Sequence, residues 1–302
     1  MRLDPCAAFG ERESLVLRQL GATIRGNSHS KGVSPTDLVT ILSRALILSS
    51  FLFIGCHGSG IPDYGYPRAS IIVDQHRGFV LQPLHPRADH PWVWFAPVLH
   101  GEPNEHHAFL FRALLAQGIA VTGLDIGESY GSPKGRELFS KFYAKAVQMG
   151  LSGSPCLLAQ SRGALMLFNW AAEHAQSVRC IGGIYPVMDM QTWPGLNQKD
   201  LQAAYQESAA QLLQDLPNNN PILRLDPLER AGIPIFIVHG DSDQLVPLAP
   251  NSGLAAAKCH SVRLVVIHGK GHEESPEFFE NRELLDFLSM PAAVSNGAAT
   301  PR

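Results

Sequence analysis

Cysteine is scarce in this chain, and its five copies (Cys6, Cys56, Cys156, Cys180 and Cys259) include no C-x-x-C pair. That spacing removes the usual basis for a zinc ribbon or a dithiol redox site, and the small number argues against a dense disulfide scaffold. Cys156 and Cys180 lie in or beside apolar stretches that read as core strands, so free thiols packing as small apolar residues are expected there. Charge is also sparse: 24 Lys and Arg stand against 27 Asp and Glu in 302 residues. With a net charge of -3 and no basic run or aromatic-basic interleaving, the chain lacks the electrostatic footprint of a nucleic-acid partner. No apolar run is long enough to span a bilayer as a helix, and there are no internal repeats. What is present is a 45% hydrophobic composition, enough to bury the core of one large α/β domain or two small ones.

The most informative stretch is Leu157-Leu158-Ala159-Gln160-Ser161-Arg162-Gly163-Ala164-Leu165. A short apolar strand runs into a serine and out into an apolar helix. Small residues on either side, Ala159 and Gly163, would let the helix pass close to the strand, as a nucleophile elbow requires. The usual first glycine is alanine here, a mild steric departure. An activated serine needs a base, and the base needs an acid to hold its tautomer. Downstream, the apolar strand 235–238 ends in His239-Gly240-Asp241-Ser242-Asp243, and the strand 264–267 leads to His268-Gly269-Lys270-Gly271-His272.

The chain order Ser, Asp, His, with each residue at a strand end, resembles the α/β-hydrolase superfamily over roughly residues 79–288. That resemblance implies Ser161 as nucleophile, Asp243 as acid and His272 as general base. It extends to dienelactone-hydrolase and prolyl-oligopeptidase-like esterases of bacteria. Asp241 and Asp189 compete for the acid role. His268 directly precedes a glycine turn, and His239 ends a strand and reads as structural. His272 lies on a glycine-flanked loop with the reach to return to the serine.

The remaining segments are assigned around this site. Residues 1–60 form an N-terminal extension in which the apolar run 45–55 has signal-peptide length. It ends in Phe53-Ile54-Gly55-Cys56, which resembles a bacterial lipobox and implies lipidation of Cys56, export, and membrane contact through that anchor. Residues 61–290 are expected to form the hydrolase domain, with strands near 71–73 and 79–81 joined by Gly78, and with helices over 106–117 and 136–149. A cap-like insertion occupies about 190–232 and carries a Gln- and Ala-rich helix over 200–216. A single helix over 276–288 precedes a disordered tail at 291–302. Alternating strands and helices imply a mostly parallel sheet with helices on both faces and a small helical cap.

Acyl transfer needs two N–H groups aimed at the developing oxyanion. One is assigned to Arg162; the other falls in the loop after the strand at 92–99, with Glu102 the first choice and Leu99 or His100 the alternatives. Tyr130 and Trp193 are candidate substrate contacts, with packing the competing role for each. An arginine after the nucleophile resembles glucuronoyl esterases, which implies a carbohydrate substrate face at Arg162; an exposed arginine at a helix start, held by a carboxylate, is the competing reading. Glu102, Glu105, His106 and His107 are metal-ligating types, but adjacent histidines on a helix point in different directions. No metal or other cofactor is expected. The expected activity is hydrolysis of small-molecule or glycan carboxylic esters, with a serine peptidase or a non-catalytic binding protein as the alternatives.

Overall fold

The computed structural model describes residues 62–97 and 101–290. The signal-like run, Cys56, Leu99, His100 and the 291–302 tail lie outside the described residues.

Period-2 alternation builds the sheet. In strand β3 (Trp92–Phe95), Trp92 and Trp94 enter one core cluster while Val93 and Phe95 enter another. Strand β5 (Cys156–Gln160) repeats this, with Leu157 and Ala159 on the first side and Cys156 and Leu158 on the second. A strand with two apolar faces must be covered on both. The first face is covered by helices α2 (Pro133–Gln148) and α3 (Gly163–Glu173) through Phe139, Phe142, Met166 and Trp170. The second is covered by α1 (Ala108–Ala116) and α9 (Arg282–Ser289) through Phe111, Leu114, Leu284 and Leu288. Each such side chain taken fully out of water contributes about 1.5–3 kcal/mol.

The other strands are β1 (Arg68–Val73), β2 (His76–Leu81), β4 (Ala120–Asp125), β6 (Cys180–Ile184), β7 (Ile235–Gly240) and β8 (Val262–Ile267), in the order β1-β2-β4-β3-β5-β6-β7-β8. The pairs β1–β2 and β2–β4 are antiparallel, and every pairing from β4 across to β8 is parallel. The sequence places the β1–β2 junction at Gly78, but the turn lies at Asp74 and Gln75, with Asp74 at φ 52°. Gly78 is inside β2, where a Cβ would come within 2.5 Å of Ile71 and 2.6 Å of the Gly123 carbonyl. Its glycine serves close packing between strands rather than a turn.

Helices α4 (Lys199–Tyr205), α5 (Ala209–Asn219) and α6 (Asp226–Arg230) lie within the insertion. Leu201, Tyr205, Leu212 and Leu216 pack with Tyr130, Leu165, Val187, Met190 and Val246 in a third apolar cluster. The single helix expected over 200–216 is instead two. Gln206 turns left-handed at φ 58°, and Ser208 opens α5 with a reciprocal Ser208–Gln211 capping box. The C-terminal helix is likewise broken, into α8 (Pro276–Phe279) and α9, because Asn281 caps Leu284 with its side chain. Helix α7 (Leu254–Lys258) precedes β8. No helix among the described residues is long and apolar enough to cross a membrane.

The expectation of free thiols is corrected at two positions: Cys156 and Cys180 form a disulfide. The β5–β6 register places them directly opposite one another, with Cα atoms 4.6 Å apart, within bridging reach. Cys259 is free and buried.

Candidate active site

The elbow follows from local geometry at the end of β5. Ser161 has φ 46°, a left-handed conformation that a non-glycine residue holds only when its surroundings enforce it. Here Ser161 N–H donates to the Ile184 carbonyl at 3.0 Å, while the Ser161 carbonyl accepts from Val187 N–H at 3.0 Å and Ala164 N–H at 3.1 Å. A Cβ on Gly163 would lie 2.8 Å from the Ala96 carbonyl. The small residue therefore lets α3 start in contact with the end of β3.

Two loops bring the partners to that serine. Ser242 N–H donates to the Lys270 carbonyl at 2.9 Å, and a Cβ on Gly240 would come within 2.1 Å of that same carbonyl. The loops after β7 and β8 are thus clamped together. Across them, His272 Nδ1 is 2.8 Å from Asp243 Oδ2, and His272 Nε2 is 2.8 Å from Ser161 Oγ. Burial alone would raise the Asp243 carboxyl. Hydrogen bonds from His239, His272 and the Val246 N–H outweigh it and hold the group far below the usual carboxylate range. An ionised Asp243 only accepts, so His272 donates from Nδ1, and Nε2 is the ring nitrogen that faces the serine hydroxyl. His239 is fully buried, 2.6 Å from Ser252 Oγ and 2.9 Å from the Val246 carbonyl; it braces the acid loop.

The competing acids and bases point elsewhere. Asp241 pairs with exposed His268 and accepts from Gly269 N–H. Asp189 accepts from Asn220 and Gln191 N–H, anchoring the insertion. His106 pairs with Glu274, and buried His107 is bonded to Gln160. Among the described residues no group of three or more His, Cys, Asp or Glu side chains could hold a metal ion.

Arg162, whose N–H is the first after Ser161, stands at the start of α3. Glu102 is buried in the loop after β3. The Arg162 guanidinium lies over Trp193, 4.8 Å from the ring centroid, and 3.6 Å from Glu128 Oε2. Tyr130 is buried with its ring 6.0 Å from that of Trp193, so the structure brings Arg162, Tyr130 and Trp193 together. Sequence reasoning missed Glu128, which follows Asp125 on the loop after β4. Burial raises its carboxyl to about 7, against the pull of the Tyr130 N–H and Arg162, with nearby Glu102 adding to the rise. Tyr185 was also missed: its ring centroid is 4.2 Å from that of His272. Burial, then the carboxylates of Glu274, Glu102, Asp243 and Glu273, push its phenol upward, so it remains neutral. Neither residue has a sequence signal of its own, although both stand at strand ends that face the cleft edge.

No family model and no curated protein sequence matches this chain. Solved structures do. Est1E from Butyrivibrio proteoclasticus matches with a TM-score of 0.56 at 16% identity, over 73% of this chain and 97% of that one. An S-formylglutathione hydrolase from Agrobacterium tumefaciens matches at 0.55 and 14%, over 73% and 92% respectively. A puromycin-hydrolyzing peptidase of Mycobacterium tuberculosis matches at 0.60 and 13%, over 78% of this chain but 40% of its own length. Parallel strands β3 to β8, an elbow after β5 and these likenesses agree on one architecture: this chain has the α/β-hydrolase fold.

Proposed function

We propose that this protein is a serine hydrolase of carboxylic esters. The observation that carries the reading is the continuous contact from Ser161 Oγ to His272 Nε2 and from His272 Nδ1 to Asp243, each 2.8 Å long. In the proposed reaction Ser161 Oγ attacks the acyl carbon as His272 Nε2 takes its proton. Asp243 holds the imidazolium, and the Arg162 N–H, with a second donor assigned to Glu102, meets the oxyanion. His272 then passes the proton to the leaving alcohol, and water resolves the acyl-enzyme by the same route in reverse.

The substrate reading rests on Arg162, Glu128, Trp193 and Tyr130. A guanidinium lying over an indole, beside the acidic Glu128, offers paired donors and an acceptor to a hydroxyl-bearing group. Glu128 ionises only near pH 7, and with Glu102 close by, two acidic groups beside the arginine favour a neutral group over an anionic one above that pH. Acylated or esterified carbohydrate fits that chemistry. So does an aryl acyl group, ferulic acid being bound to Est1E. The decisive measurement is turnover of a chain-length series of p-nitrophenyl esters, a feruloyl ester and a prolyl peptide substrate, beside Ser161→Ala. Ester turnover that Ser161→Ala lowers by about 10^4-fold or more supports the reading. Peptide turnover alone would move it to a peptidase, and absence of both turnover and fluorophosphonate labelling would leave a binding protein.

Export with lipidation at Cys56 completes the proposal. The Cys156–Cys180 disulfide supports it, since such bridges persist in oxidising compartments. The N-terminal mass of the protein from its native host tests it; an unmodified Cys56 retained behind residues 1–55 overturns it.

A further inference from the structure

We propose that His107 is a positioning residue: a buried imidazole that locks the last residue of the nucleophile strand to the loop carrying the second oxyanion donor. This rests on the ester-hydrolase reading of the site.

His107 is fully buried, with its ring centroid 4.8 Å from that of Phe95 and 5.3 Å from those of Phe111 and Phe279. Its Nε2 lies 2.7 Å from Gln160 Oε1, and its Nδ1 accepts from the Asn104 N–H at 3.1 Å. Nδ1 also lies 3.0 Å from Asn104 Oδ1, so both polar atoms of Asn104 that face the ring meet the same nitrogen; with Nδ1 accepting from the backbone N–H, Nε2–H donates to the Gln160 amide oxygen. Burial accordingly lowers the imidazole to about 4, ahead of the opposing bonds to Gln160 and Asn104 and the pull of Glu274.

The two partners are not ordinary packing neighbours. Gln160 immediately precedes Ser161, whose left-handed backbone must be enforced from outside. Asn104 stands two residues after Glu102, and its side chain extends the chain of contacts. Asn104 Oδ1 accepts from His106 N–H at 3.0 Å, and Nδ2 donates to Glu274 Oε1 at 3.2 Å, two residues beyond His272. Tyr64 hydroxyl donates to the Asn104 carbonyl at 2.7 Å. One imidazole thus joins the elbow to the loop after β3 directly, and to the base loop through Asn104. An oxyanion hole built from two segments works only if their relative placement is held to a fraction of an ångström. A purely structural histidine would affect stability; a positioning one affects the transition state.

The test uses the full chain and two variants. His107→Phe keeps a ring in the aromatic pocket and removes both bonds, whereas His107→Gln offers an amide N–H toward Gln160. Measured are kcat and KM on a short p-nitrophenyl ester and the second-order rate of fluorophosphonate labelling at Ser161, with cooperative thermal unfolding checked for each. The expected result is a roughly 10- to 100-fold loss of kcat and labelling rate in His107→Phe, with KM within about twofold, and recovery to within about fivefold of wild type in His107→Gln. Should His107→Phe fail to fold, Gln160→Met breaks the same bond from the other end and should show the same split. Wild-type rates in His107→Phe or Gln160→Met, or a His107→Gln no better than His107→Phe, overturn the proposal. A wild-type protein that neither turns over nor labels defeats the ester-hydrolase reading, and this inference with it.

Discussion

At the scale of the residue, the site is a set of protonation states imposed by neighbours. Asp243 is the clearest, since its Oδ1 accepts from Leu245 and Val246 N–H while Oδ2 faces His272. Asp243→Asn would present an amide where an acceptor is needed and favour the wrong His272 tautomer. On the proposed function, kcat should fall by about 10^4-fold with little change in KM, read on a p-nitrophenyl ester. Glu128 behaves oppositely. Its folded carboxyl lies near 7 against an ordinary 4.5, so between those values the folded state binds more protons than the unfolded one. Stability contributed by the protonated form is present below about 4.5 and is lost as pH rises through about 7. Glu128→Gln cannot ionise. Its unfolding free energy relative to wild type should therefore increase from pH 5 to pH 8 in parallel denaturant titrations, and a constant difference would contradict the assignment.

At the scale of the element, close backbone approach decides where the side chains stand. Gly240 closes β7, and a Cβ there would strike the Lys270 carbonyl backbone, which no side-chain rotation can relieve. Gly240→Ala should push the acid and base loops apart, lowering the melting temperature and kcat together. A variant that unfolds earlier but turns over normally would separate the clamp from the catalytic geometry. Asn251 plays the equivalent role under the insertion. Fully buried, it accepts from Met188 and Asp189 N–H and donates to Thr192 Oγ1 and the Pro247 carbonyl. Asn251→Ala strands the buried Met188 N–H and the half-buried Asp189 N–H and should cost roughly 2–4 kcal/mol in urea unfolding.

At the scale of the molecule, the disulfide ties β5, which leads into Ser161, to its neighbour β6 across a sequence separation of 24. In the chain-entropy account a loop of that size contributes about 3.5 kcal/mol. The double variant Cys156→Ala/Cys180→Ala should unfold at lower denaturant by about that amount, and wild type under reducing conditions should approach it. Equal midpoints for all three would show that the bridge contributes nothing to the folded state in solution.

The ordered motifs of Ser161, Asp243 and His272 were legible because each rests on a local rule: an apolar strand ending in a turn of small residues, in a chain order that resembles known hydrolases. The same alternation of strands and helices carried the fold class. The sequence by itself determined which residue types stand at the strand ends, and therefore what chemistry the carboxyl edge can hold. Tertiary structure decided everything that depends on register or on contacts between distant segments. The pairing of Cys156 with Cys180 needed the β5–β6 register. The break at Gln206 needed its left-handed backbone and the Ser208–Gln211 capping box. Glu128, Tyr185 and His107 acquired their roles only when loops after β4, β6 and β3 converged on the elbow. Local propensity acts over a few residues, whereas a buried imidazole's partner 53 positions away is chosen by the packing of the whole sheet.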